Sequence, residues 1–221
     1  GVGMSELAGT TSELLDRLRG GDREALAALF TQHRARLSQI VSFRLDPRLA
    51  GRVDADDILQ EAYLDAAERV EHFIQEHSGS FFVWLRLIVN QTLANVYRRH
   101  LGAQRRDVNR EVSIHARANS SASSASLAFQ LLGHLTSPSQ AVIRDETGRK
   151  LQEAIEAMQP IDRDVLVLRH FEQLSNNEVA EVLGIQKKAA SIRYVRALKR
   201  LKDALTDMPD FREALANGIR P

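Results

Sequence analysis

Cysteine is absent from the 221 residues, which excludes disulfides, thiolate nucleophiles and every zinc site built on cysteine. That absence fits a reducing compartment, and a cytoplasmic location is expected. No apolar run approaches the roughly 20 residues that span a bilayer, and the start lacks a charged-then-apolar secretory pattern, so no membrane insertion is expected. Net charge is also nearly missing: 30 lysines and arginines stand against 29 aspartates and glutamates, a formal balance of +1. Attraction to a polyanion must then come from local patches rather than from the molecule as a whole. Strand-like alternation of convincing length is lacking too. So are metal-ligand spacings, phosphate-binding glycine loops and nucleophile arrangements. His33, His72 and His77 read as surface or loop residues. The expectation is no enzyme, no metal and no cofactor.

What is present is ordinary for a globular chain: 43% apolar and 27% charged residues, with length for one large domain or two small ones. Gly1-Val2-Gly3 before Met4 resembles a tag remnant and is left out of the fold reasoning. From Asp22, an N-cap candidate after Gly20-Gly21, apolar residues recur at Leu26, Leu29, Phe30, Leu37, Ile40 and Val41 with a helical period, until Asp46-Pro47. Asp54 is placed to cap a second helix. Its stripe of Ile58, Ala62, Ala66, Val70 and Phe73 is apolar, and the stripe of Asp57, Glu61, Asp65 and Glu68 is acidic. A third helix carries Leu85, Ile88, Val89, Leu93 and Val96 into Arg98-Arg99-His100, with the single tryptophan, Trp84, in its first turn. Core packing is the expected role of Trp84.

Composition then shifts. Residues 102–140 hold Arg105-Arg106, the small-polar tract 119–126 and Ser137-Pro138-Ser139, which reads as a flexible linker with a short ordered piece at 127–132. Beyond it Leu151, Ala154, Ile155 and Met158 share a face, Pro160 interrupts, and Val165, Leu166, Leu168 and Phe171 mark another helix. Ser175-Asn176-Asn177-Glu178 is a capping box for a short helix that ends at Gly184. The fold class expected is all-α: two small helical domains joined by a long flexible linker.

After Gly184 comes QKKAASIRYVRALKRLK, residues 186–202, with seven cations and no acid. A short capped helix, a glycine turn and a longer basic helix are the parts of a helix-turn-helix, whose second helix enters the DNA major groove. Ala190, Tyr194, Ala197 and Leu201 form an uncharged stripe assigned to the core. Lys188, Ile192, Val195 and Lys199 form the stripe assigned to DNA, where the apolar pair is suited to thymine methyl groups. Arg193, Arg196 and Arg200 are candidates for phosphates or base edges.

The run AIEAMQPIDRDVLVLRHFEQLSNNEVAEVLGIQKKAASIRYVRALKRL resembles region 4 of bacterial sigma factors. DADDILQEAYLDAAERVEHF resembles region 2.2, and FFVWLRLIVNQTLANVYRRH regions 2.3 and 2.4. Their order and the linker between them are similar to the small extracytoplasmic-function class. The resemblance implies 11–101 as region 2, 102–140 as linker and 141–205 as region 4, which leaves 1–10 as tag remnant and N-terminal tail and 206–221 as a C-terminal tail without a readable motif. It implies core RNA polymerase as partner through its beta-prime clamp and beta subunit, promoter DNA as a second, and room for an anti-sigma factor. Asp57, Gln60 and Glu61 match the residues that dock on the clamp. Asn90, Asn95, Arg98 and Arg99, with the loop at 76–80, match those that hold the opened minus-ten strand. With region 4 reading the minus-thirty-five element, the outward face of the basic helix offers Lys187, Lys188, Ser191, Ile192, Arg193, Val195, Arg196 and Lys199 as the expected contacts. Lys188-Ala189-Ala190 departs from the glycine-threonine-valine common in the family, and the linker is longer than a minimal member needs. A conventional helix-turn-helix regulator acting without polymerase remains the alternative; it leaves the acidic helix and the helix that carries Trp84 without a task.

Overall fold

The computed structural model describes residues 3–45, 49, 51–76, 79–101, 124, 127, 128, 131 and 141–206. Among them every regular element is helical. The chain divides into two compact units, residues 1–111 and 112–221, so the division falls inside the segment read as linker.

The first unit holds α1 (Gly3–Arg19), α2 (Glu24–Arg44), α3 (Ala55–Glu76) and α4 (Phe81–Leu101). The α1 helix is an addition to the sequence reading, which begins its helices at Asp22. Leu14 and Leu18, one turn apart, are its buried anchors, and it gains its place by docking on α2. The Gly20-Gly21 break lets Gly21 take φ 90°, a conformation open to glycine. Asp22 then accepts from the Glu24 N–H at 3.0 Å and from Arg17 Nε and Nη2 at 2.9 and 2.7 Å. The Arg17 hydrogen bond holds its carboxyl below the usual carboxylate range. The N-cap position itself falls on Arg23, one residue later than expected.

Two residues before Asp46-Pro47, α2 stops, and the Leu45 N–H closes on the Val41 carbonyl at 2.7 Å. A reciprocal cap starts α3: the Asp57 N–H donates to Asp54 Oδ1 at 2.8 Å, and the Asp54 N–H donates to Asp57 Oδ2 at 3.3 Å. Its expected apolar stripe is buried throughout. Ser80 caps α4 through the Val83 N–H. Phe73 of α3 meets Phe81 and Trp84 of α4 with ring centroids 5.4 and 4.7 Å apart. Trp84 is 7% exposed, so it is a core residue as expected, and its indole cannot stack on a base without leaving this cluster. Arg69 donates to Gln91 at 2.6 Å across α3 and α4, and the Tyr97 hydroxyl donates to the Arg44 carbonyl of α2.

The second unit holds α5 (Ala141–Glu156), α6 (Pro160–Leu166), α7 (Asn176–Leu183) and α8 (Lys187–Thr206). Pro160 opens α6, where its missing N–H costs nothing. The helix then widens into a π-helical turn, Val167–Phe171, in which the Glu172 N–H reaches back to the Val167 carbonyl at 3.1 Å. The wider turn keeps Val167, Leu168 and Phe171 all buried. From the segment read as linker, Leu127, Ala128 and Leu131 are helical and buried; the other residues of the ordered piece expected at 127–132, namely 129, 130 and 132, lie outside the described residues. The α8 helix packs on α5, α6 and α7. Among the described residues no helix is long and apolar enough to cross a membrane.

Candidate nucleic-acid and polymerase interfaces

Two local devices set the entry of α8. The capping box starts α7, with the Glu178 N–H donating to Ser175 Oγ at 3.2 Å and the Ser175 N–H donating to Glu178 Oε2 at 2.7 Å. Gly184 ends it at φ 63°, and the Ile185 N–H returns to the Ala180 carbonyl at 3.0 Å. That left-handed residue turns the chain sharply enough for α8 to cross α7. The turn forms as the sequence predicts although Lys188-Ala189-Ala190 replaces the glycine-led family pattern.

Helix α8 presents the faces expected of it. Ala190, Ala197 and Leu201 are buried, while Ile192 and Val195 are 49% and 63% exposed. Tyr194 lies at the margin, half-buried with the Arg169 guanidinium 5.1 Å from its ring centre. Lys187, Lys188, Arg196 and Lys199 are exposed and Ser191 half-buried, so the outward face combines cations with two apolar side chains. Arg193 is placed differently from its expected groove position: its Nη1 pairs with Asp162 Oδ1 of α6 at 2.7 Å. Asp162 is 4% exposed, and a buried carboxylate requires a close cation. Arg196 Nη1 lies 3.8 Å from the other Asp162 oxygen with its side chain half exposed. Arg200 donates to the Ala157 carbonyl just beyond α5 at 2.7 Å, where a cation satisfies a free helix-end carbonyl. Of the three arginines put forward for DNA, Arg196 keeps an open guanidinium.

In the first unit Asp57, Gln60 and Glu61 stand on one face of α3. Asp57 and Gln60 are exposed, and Glu61 is half-buried. Sequence reasoning missed the next residue of that stripe, Leu64, which is 63% exposed. Its signal was legible as the position seven beyond Asp57. With Gln60, Leu59 and Tyr63 it lines a groove shared with Phe30 and Arg34 of α2. Arg34 pairs with Asp56 at 2.9 Å in the same groove. The face is thus a mixed apolar and acidic surface, and Asp57 also has the capping task described above.

The expected minus-ten residues do not form one surface. Asn95, Arg98 and Arg99 line a shallow depression together with Glu61. Arg98 donates to Asn95 Oδ1, and Arg99 Nη2 donates to both Glu61 oxygens at 2.8 and 2.6 Å. One carboxylate therefore joins the stripe assigned to polymerase to the helix end assigned to DNA. In the loop at 76–80, His77 and Ser78 lie outside the described residues. Asn90 is corrected by burial: it is 5% exposed and neither amide atom has a hydrogen-bond partner. The family resemblance grouped it with Asn95, but the packing of α4 against α2 and α3 encloses it. An unpaired buried amide costs about 1–3 kcal/mol. Asn90→Leu, which keeps the branching at Cγ, is expected to raise the unfolding free energy by about that amount in denaturant melts; an unchanged midpoint would mean that the amide is satisfied in solution.

Comparison with known proteins agrees with this geometry. A family model described as Sigma-70 region 2 matches residues 29–102, and one described as Sigma-70 region 4 matches 148–201. The RNA polymerase sigma-H factor of Pseudomonas aeruginosa is 30% identical over 205 residues, covering 91% of this chain and 96% of that protein. The ECF RNA polymerase sigma-E factor of Escherichia coli K12 is 24% identical over 96% of this chain and 95% of its own length. The ECF RNA polymerase sigma factor SigW of Bacillus subtilis is 23% identical over 88% and 96%. With regions 2 and 4 in their proper order and relatives matched along nearly their whole length, the chain belongs to the sigma-70 family, as an extracytoplasmic-function sigma factor, a transcription initiation factor rather than an enzyme.

Proposed function

We propose that the acidic stripe of α3, Asp57, Gln60 and Glu61 extended by Leu64, docks on a basic surface of core RNA polymerase, its beta-prime clamp. The α4 end, through Asn95, Arg98 and Arg99, holds the opened minus-ten strand, and the outward face of α8 reads the minus-thirty-five duplex. These roles place the chain's work in the cytoplasm, where polymerase and promoter are. The single observation that carries the reading is the sorting of charge onto opposite tasks: an acidic exposed stripe on α3 and, on the outward face of α8, cations around Ile192 and Val195. An acidic face suits a basic protein partner, and a cationic face suits phosphates.

The helix-turn-helix by itself would equally serve a regulator that binds duplex DNA alone. Run-off transcription from a genomic library, with purified core polymerase and with or without this protein, separates the two. Discrete new transcripts are expected only when both are present. Promoter-specific binding that is the same with and without core polymerase, and no new transcript, would favour the regulator.

A further inference from the structure

We infer that Asp162 is a positioning residue that withholds Arg193 from DNA phosphates, lowering the sequence-independent affinity of α8 for every duplex. The inference rests on α8 being the duplex-reading helix proposed above. Arg193 and Arg196 stand nearly one helical turn apart and face the same carboxylate, yet the geometry treats them differently. Arg193 Nη1 sits 2.7 Å from Asp162 Oδ1, with its side chain 28% exposed. Arg196 Nη1 sits 3.8 Å from Oδ2, with its side chain 53% exposed. The first distance is a charge-assisted hydrogen bond and the second is too long for one. For Arg193 to reach a phosphate it must leave a buried carboxylate without compensation, and the exchange gains little because one anion replaces another. Arg196 can turn outward at small cost while its approach to Oδ2 holds the free guanidinium near one place.

The consequence for recognition follows from how the two kinds of DNA contact differ. A phosphate contact adds affinity for every sequence alike, whereas discrimination comes from base edges and methyl groups. Selectivity is a difference of affinities, so the phosphate contact cancels from it: withholding Arg193 lowers affinity for every duplex and leaves discrimination to Ile192, Val195 and Ser191 at the bases. Asp162 thus lets α8 carry a core-anchoring arginine in the middle of a cationic helix without adding to indiscriminate binding.

The test uses the full chain and a fluorescent duplex of scrambled sequence, titrated across a salt series. Asp162→Asn is expected to release Arg193. The logarithmic salt slope should steepen by about 0.9, a further three- to fourfold loss of affinity, roughly, for a fourfold rise in salt. Selection from a randomised duplex library should return an unchanged consensus, because a phosphate contact strengthens every sequence alike. Asp162→Leu with Arg193→Leu replaces the pair by apolar side chains and is expected to keep the wild-type slope. A slope shallower by about 0.9 in that double variant would make Arg193 a phosphate ligand and overturn the inference. So would an Asp162→Asn slope equal to or shallower than wild type, which would leave Asp162 a purely structural residue. Where Asp162→Asn fails to fold, the double variant decides alone. Wild-type chain with no salt-dependent duplex binding would remove the proposed role of α8 itself, an outcome distinct from an altered slope in the variants.

Discussion

A chain carrying Asp57→Gln and Glu61→Lys is expected to bind core polymerase at least tenfold more weakly, roughly, than the wild type, because removing one partner of a desolvated charge pair costs about 2–5 kcal/mol. The choice of substitutions follows from the structure. Asp57 accepts the Asp54 N–H in the reciprocal cap of α3, so reversing its charge would also fray the helix. Glutamine at the same position removes the charge and keeps an acceptor of the kind found in capping boxes. Lysine at position 61 reverses the charge at the centre of the stripe and frees Arg99, whose Nη2 rests on both Glu61 oxygens. Equilibrium binding of the labelled protein to core polymerase measures the loss. A thermal melt confirms that the helices persist. Exposed ion pairs such as Glu61–Arg99 contribute only about 0–1 kcal/mol to stability, so the melt should move little. Undiminished polymerase affinity in a folded variant would take the α3 stripe out of the interface.

Inserting base pairs between the two promoter elements is expected to have the other large effect. Each helical unit alone offers a small contact surface. Joining them makes the second contact intramolecular, which can raise avidity by about 10²–10⁴ when the geometry allows both contacts at once. A free linker would tolerate many separations, but two units docked on one polymerase would not. Run-off product from saturating holoenzyme should therefore fall steeply as the spacer grows one base pair at a time, with both elements intact. A flat response over several base pairs would instead describe a flexibly tethered DNA-binding protein, and would also weaken the case for docking through α3.

Local chemistry was legible wherever neighbours in sequence settle a conformation. The Ser175–Glu178 box and the left-handed Gly184 depend on a handful of adjacent residues, so reading them needed no knowledge of the fold. The apolar stripes of α3, α4 and α8 were legible because burial follows the helical period. Helix α1 was not, since its buried leucines gain their meaning from docking on α2. Leu64 shares the face of Asp57 by its spacing of seven, but only the groove between α2 and α3 sets it apart from any other exposed leucine.

The sequence by itself determined the all-helical class, the helix-turn-helix with its inward and outward faces, the acidic stripe and the order of regions 2 and 4, because each is carried by period, capping or motif within a short stretch. Tertiary structure alone decided how the charged and polar side chains divide between fold and function. Arg193 belongs to Asp162, Arg200 to the Ala157 carbonyl and Arg99 to Glu61, and Asn90 is enclosed. A long cationic side chain takes whichever acceptor lies within its reach, and those acceptors sit on other helices, from 31 to 43 residues away in sequence. Helical periodicity states which way such a residue leaves its own helix, but only packing places the carboxylate or carbonyl that it meets.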